Sequence, residues 1–119
     1  MKKYLPGLLL LLVMACTNEN EEELYGDKES TCQVTSATYL TDVKPILQRA
    51  CYACHASNIQ TAGVILDTYE GVKKQAQGDL LAVINHEPGH PPMPQGGAKL
   101  PACDIARIRK WVETGTLNN

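Results

Sequence analysis

The sequence predicts an all-α domain, small and thinly cored, made of short helices around one long structured loop. Three observations predict it. Four stretches carry helix signals, either apolar residues at helical spacing or a cap and a stop at helical separation. A Pro- and Gly-rich run separates the third stretch from the fourth. Aromatic residues make up only 5% of 119 residues and Phe is absent, so a core that is marginal at this length leaves room for something besides side chains.

The chain opens outside that domain. "MKKYLPGLLLLLVMAC" has Lys2 and Lys3, an apolar run from Leu8 to Val13, and Ala15 before Cys16. A charged start, a short apolar run and a small residue before the cut describe an export signal over residues 1–15. The run is too short to span a bilayer. "VMAC" resembles the lipobox of bacterial lipoproteins, which implies cleavage before Cys16 and a lipid on its thiol. "TNENEEELYGDKES" follows, with Glu19, Glu21, Glu22, Glu23, Asp27 and Glu29 against Lys28. It has too little apolar surface to fold and reads as a tether over residues 16–31. The folded domain is expected over residues 32–119, where eight Lys and Arg balance seven Asp and Glu. That balance leaves no basic field for nucleic acid.

Within the domain, "TYLTDVKPILQRAC" offers Thr41 as an N-cap, and Val43, Ile46, Leu47 and Ala50 follow at helical spacing. "ASNIQTAGVIL" reads as loop. "DTYEGVKKQAQG" has Asp67 or Thr68 as cap and Gly78 as stop. "DLLAVIN" is opened by Asp79. "HEPGHPPMPQGGAKLP" holds five Pro and three Gly in sixteen residues and excludes regular structure. In "ACDIARIRKWVETG", Ile105, Ile108 and Val112 line one face, Trp111 flanks it, and Gly115 stands at the stop.

"RACYACHASN" carries the chemistry. Cys51, Cys54 and His55 stand as Cys-x-x-Cys-His, and residues three and four apart share one face of a helical turn. Two thiols so placed can add across the vinyl groups of a haem, and the neighbouring imidazole can bind the iron, which is why this spacing is the c-type haem attachment signal. A thioredoxin-like redox pair would need a strand-helix-strand setting, which is missing. A zinc site would need further ligands at short spacing, and no second Cys-x-x-Cys or His-x-x-x-His occurs. One haem c, held by Cys51 and Cys54 with His55 on the iron, also supplies the large apolar body that the thin core lacks.

The iron has a sixth position. Signal cleavage removes Met1 and Met14 and leaves Met93 as the one thioether of the mature chain. It stands between Pro92 and Pro94, in a stiff loop where binding costs little entropy. Met93 is the favoured distal ligand, with His90 and then His86 as alternatives that otherwise read as solvent-exposed loop residues. The choice sets the function. Two filled axial positions mean electron transfer, and a thioether raises the potential relative to a second imidazole. An open position means a gas-binding, sensing or peroxidatic haem protein.

At this point the chain resembles the small monohaem class I-type c cytochromes, especially exported planctomycete-type and Bacteroidota lipoprotein forms. The residues that carry the resemblance are "DVKPILQRACYACH", "LDTYEGVKK", "MPQGGAKL" and "DIARIRKWVETG", in order over most of residues 39 to 115. The resemblance implies a cytochrome c-like helical fold wrapped around one haem, Met93 as distal ligand, and Trp111 on a C-terminal helix that crosses the N-terminal one. The chain departs from its relatives at Pro101, where Ser often caps the last helix.

Two cysteines remain once lipid takes Cys16 and haem takes Cys51 and Cys54. In an exported protein they are expected to oxidise, and the touching first and last helices of class I-type cytochromes would bring Cys32 and Cys103 together. A crosslink over about 70 residues stabilises by roughly 4 kcal/mol in the chain-entropy model, less where haem already restrains the loop. The full expectation is a monomeric, lipid-anchored electron carrier on the periplasmic or cell-surface side. It is no enzyme, and it exchanges single electrons with redox proteins that dock near the haem edge. Lys99, Arg107, Arg109 and Lys110 form either a modest docking patch or an ordinary solvated face.

Overall fold

Thr38 opens the first helical segment, three residues ahead of the Thr41 that the sequence suggests. The structure, a computed structural model, describes residues 32–119. The expected signal over 1–15, the lipid-bearing Cys16 and the tether over 16–31 lie outside the described residues. A π-helical turn Tyr39–Val43 leads into α1 (Lys44–Ala50) and α2 (Tyr52–His55). A 3₁₀ turn Thr61–Gly63, α3 (Tyr69–Ala76), α4 (Leu80–Ile84) and α5 (Ala102–Glu113) follow. The described residues contain no strand, so the domain is all-α as expected.

Thr38 displaces Thr41 because every free N–H of the added turn finds a partner. Tyr39 N donates to Asn119 Oδ1 at 3.0 Å and Leu40 N to the Asn119 carbonyl at 2.8 Å. Thr41 N donates to Thr38 Oγ1 at 3.4 Å. The Asp42 carboxylate reaches back to accept from Thr38 N at 2.7 Å and from the Thr38 hydroxyl at 3.1 Å. This is a capping box stretched by one residue, the acid standing four after the cap instead of three, as the wider π turn requires.

α5 packs on that turn. The Trp111 and Tyr39 ring centroids lie 5.6 Å apart, and the Tyr39 and Tyr69 rings meet in a T-shaped contact at 5.3 Å. Trp111 is fully buried, and its Nε1–H donates to the Leu117 carbonyl at 2.8 Å. The sequence places Trp111 at the flank of the apolar stripe; the structure places it at the centre with Ile105 and Ile108, and leaves Val112 only partly buried. The stripe is pulled round toward the Tyr39 ring, which offers the indole an aromatic contact that Val112 cannot make. α5 ends in a Schellman turn, with Gly115 at φ 102°, Thr116 N on the Trp111 carbonyl and Gly115 N on the Val112 carbonyl.

The start of α5 has Pro101 at the cap position and no side-chain cap. Asp104 in its first turn takes over the electrostatics. Its buried carboxylate accepts from Arg49 of α1 at 2.6 Å and from Arg107 at 3.3 Å, near the positive end of the helix. One residue earlier, the sulfurs of Cys103 and Cys32 meet at bonding distance with their Cα atoms 5.3 Å apart. The segment before Thr38 is thereby stapled to the last helix.

α3 is capped by Thr68, whose hydroxyl accepts from Gly71 N at 3.2 Å, and it ends at Ala76, two residues short of Gly78. Gly71 is required by packing. A Cβ there would collide with the Ile65 carbonyl oxygen, which is backbone and cannot step aside. Gly71→Ala is therefore expected to destabilise, despite the better helix propensity of Ala, by about 1–3 kcal/mol. Thermal melting of wild type and variant checks it; an unchanged or higher melting temperature would show that the α3 start yields.

Candidate functional site

α1 runs straight at the motif and breaks at Cys51, whose φ of −126° is outside the helical range. Cys51 N still donates to the Leu47 carbonyl at 2.8 Å, and the Cys51 carbonyl accepts from Cys54 N at 3.1 Å and His55 N at 2.9 Å. Cys51, Cys54 and His55 thus sit on one tight turn. All three line a single cavity of about 440 Å³. That volume lies within the roughly 300–1,000 Å³ range of ligand sites.

The rest of the wall comes from several segments between residues 50 and 100. Val64 and Leu66 alternate along an extended segment, and Leu66 N holds that segment to the motif through the His55 carbonyl at 2.7 Å. Leu80, Val83 and Ile84 come from one face of α4, Leu100 from the segment before α5, and Pro91, Met93 and Pro94 from the long loop. Met93 therefore lines the same cavity as the two thiols and the imidazole. His86 and His90 do not line it. His86 is half-buried with Nε2 3.0 Å from the Met93 carbonyl, and His90 is half-buried with Nδ1 3.8 Å from Asp79. Both differ from the expected solvent-exposed loop residues, because the loop folds back onto the end of α4.

The electrostatics suit an apolar guest. Cys51 is half-buried, and burial, with a smaller contribution from the nearby Cys54, pushes its thiol up to about 11. Redox-active Cys-x-x-Cys pairs work by the opposite shift, a thiol lowered to hold a thiolate. His55 Nδ1 is buried and has no hydrogen-bond partner. Among the described residues no three His, Cys, Asp or Glu side chains group as a bare metal ion would require. A haem iron makes no such demand, since its porphyrin supplies four nitrogens and the protein only axial donors. Two thiols, one imidazole and one thioether around an apolar wall fit that group.

Two supports of the site were not read from the sequence. Asp67, a candidate cap for α3, turns the other way and accepts from Ser57 N at 2.8 Å and the Ser57 hydroxyl at 2.6 Å. Those bonds, the hydroxyl first, hold its carboxyl below the usual range. The latch is complete above the ordinary carboxylate range and is lost as pH falls through the lowered value. It closes the loop that follows His55. The apolar wall had a weak signal, the i, i+3, i+4 spacing of Leu80, Val83 and Ile84, but nothing local says what that face turns toward.

The four basic residues named as a docking patch do not form one field. Arg107 pairs with Asp104, and Lys110 stands 4.0 Å from Glu113. Arg109 bonds Asn85 at 3.3 Å and shares a separate small cleft with Lys99. The division follows from helix geometry, which sends residues 107 and 109 to opposite sides of α5.

Compared with protein-family models, curated proteins and solved structures, the chain matches none.

Proposed function

We propose that the protein is an exported, lipid-anchored monohaem c-type cytochrome that transfers single electrons. The observation that carries this reading is the meeting of Cys51, Cys54, His55 and Met93 on one apolar cavity. Cys51 and Cys54 would hold the haem, His55 would be the proximal ligand and Met93 the distal one. When bound, the haem supplies a one-electron Fe(III)/Fe(II) couple. The chain's own part is to hold the two axial donors, keep water from the iron with the walls around Leu66, Leu80 and Ile84, and leave no position for a substrate. Export and the lipid on Cys16 rest on the sequence of residues 1–16.

Purified protein tests the reading directly. The colour is expected to stay with the chain through acid-organic extraction, and the reduced spectrum to be unchanged by carbon monoxide. Free haem in the extract would remove covalent attachment. Ready binding of carbon monoxide would replace the electron carrier with the gas-binding or peroxidatic reading.

A further inference from the structure

Met93 lies in a loop without helix or strand, yet both of its backbone polar groups are held by the end of α4. Met93 N donates to the Val83 carbonyl at 2.9 Å. The Met93 carbonyl lies 3.0 Å from His86 Nε2, and since a carbonyl only accepts, that nitrogen carries the proton.

The backbone of His86 makes this contact informative. α4 ends in its own Schellman turn: His86 N donates to the Val83 carbonyl at 3.3 Å and Glu87 N to the Ala82 carbonyl at 3.0 Å. His86 fills the left-handed position of that turn at φ 56°. Gly, or failing that Asn, is the usual residue there, because a Cβ is strained in this region. At the other end of the domain the equivalent position is indeed Gly115. A histidine at such a place gives up backbone ease for its side chain, and the side chain bonds the residue that faces the motif across the cavity.

We propose that His86 is a positioning residue for Met93, and that its imidazole aims the thioether at the iron by clamping the Met93 carbonyl. The inference rests on the haem reading above. The chain from residue 83 to 86 then acts as one bracket. The Val83 carbonyl takes the Met93 N–H, the His86 ring gives to the Met93 carbonyl, and the free rotors of Met93 are those of its side chain alone.

Two variants of the haem-loaded protein separate side chain from backbone. Asn tolerates the left-handed conformation well but places its amide short of Nε2. Gln suits the backbone less but can place a donor where Nε2 was. The readouts are carbon monoxide binding by the reduced protein, the midpoint potential, and the ferric thioether-to-iron charge-transfer band, with Met93→Ala as reference. His86→Asn is expected to weaken the band, lower the potential and raise carbon monoxide binding by about tenfold, the scale of one neutral hydrogen bond. His86→Gln is expected to stay near wild type. The reverse pattern, or no effect of either variant, overturns the proposal. Damage from both supports it only if their melting temperatures stay at the wild-type value; with lowered melting it is overturned as a general loss of fold. If Met93→Ala itself leaves the spectrum unchanged, the axial role of Met93 fails and the proposal falls with it. That outcome is distinct from a failure confined to His86.

Discussion

A chain with Cys51→Ala and Cys54→Ala is expected to yield no stable holoprotein. Both thiols stand on the turn that His55 shares, and both line the cavity, so each is placed for a thioether bond to the same guest. On the proposed reading, a haem without those bonds would be held by axial donors and apolar contact alone, and would dissociate. The consequence reaches the fold. The core holds few aromatic side chains, and Leu66, Leu80, Ile84 and Leu100 are core residues that also form cavity wall. Exposing that wall forfeits about 25 cal/mol per Å² of apolar surface, in a domain whose net stability is only about 5–15 kcal/mol. Far-UV circular dichroism should show lost helix, and acid-organic extraction should leave a colourless chain. The single variants should retain some coloured protein through the remaining bond. A double variant that keeps its colour through extraction would remove covalent attachment from the reading.

Trp111→Ala has the second large effect. Trp111 is fully buried against Tyr39 and donates to the Leu117 carbonyl, so the substitution opens a cavity and strands an acceptor at once. Large aromatic-to-Ala changes in cores cost about 3–5 kcal/mol. For a domain of this size each kcal/mol lowers the melting temperature by roughly 4–8 °C, so a drop of roughly 15 °C or more is expected. Trp111→Phe keeps part of the ring contact but loses the N–H and one of the two fused rings, and should fall between wild type and Trp111→Ala. The protein that survives should still carry the proposed haem, since residue 111 does not line the cavity. Melting temperature and haem content of the same preparations measure the two effects separately. A drop of only a few degrees for Trp111→Ala would mean that the haem, and not the contact of the first helical turn with α5, dominates the stability.

Local rules sufficed for what depends on residues a few positions apart. The all-α class, the approximate limits of α3 and α5, Gly115 at the helix stop and the shared face of Cys51, Cys54 and His55 all follow from helical spacing, capping and glycine chemistry. The long Pro-rich loop was legible for the same reason. What the sequence left open rests on partners far along the chain. Thr38 outcompetes Thr41 as cap because Asn119 satisfies two N–H groups eighty residues away. Trp111 is central because Tyr39, far along the chain, packs on it and is itself met by Tyr69.

Among the candidate distal ligands, the sequence favoured Met93 over His90 and His86 but did not show where each lies. The tertiary structure brings Met93 to the cavity of the motif and turns His86 onto the Met93 carbonyl. Cys32 and Cys103, 71 residues apart, meet only because the segment before Thr38 runs past the start of α5. A one-dimensional pattern encodes which face of a helix is apolar, since that is set by 3.6 residues per turn. What that face meets depends on loop closure and packing across the whole domain, and these are properties of the folded chain alone.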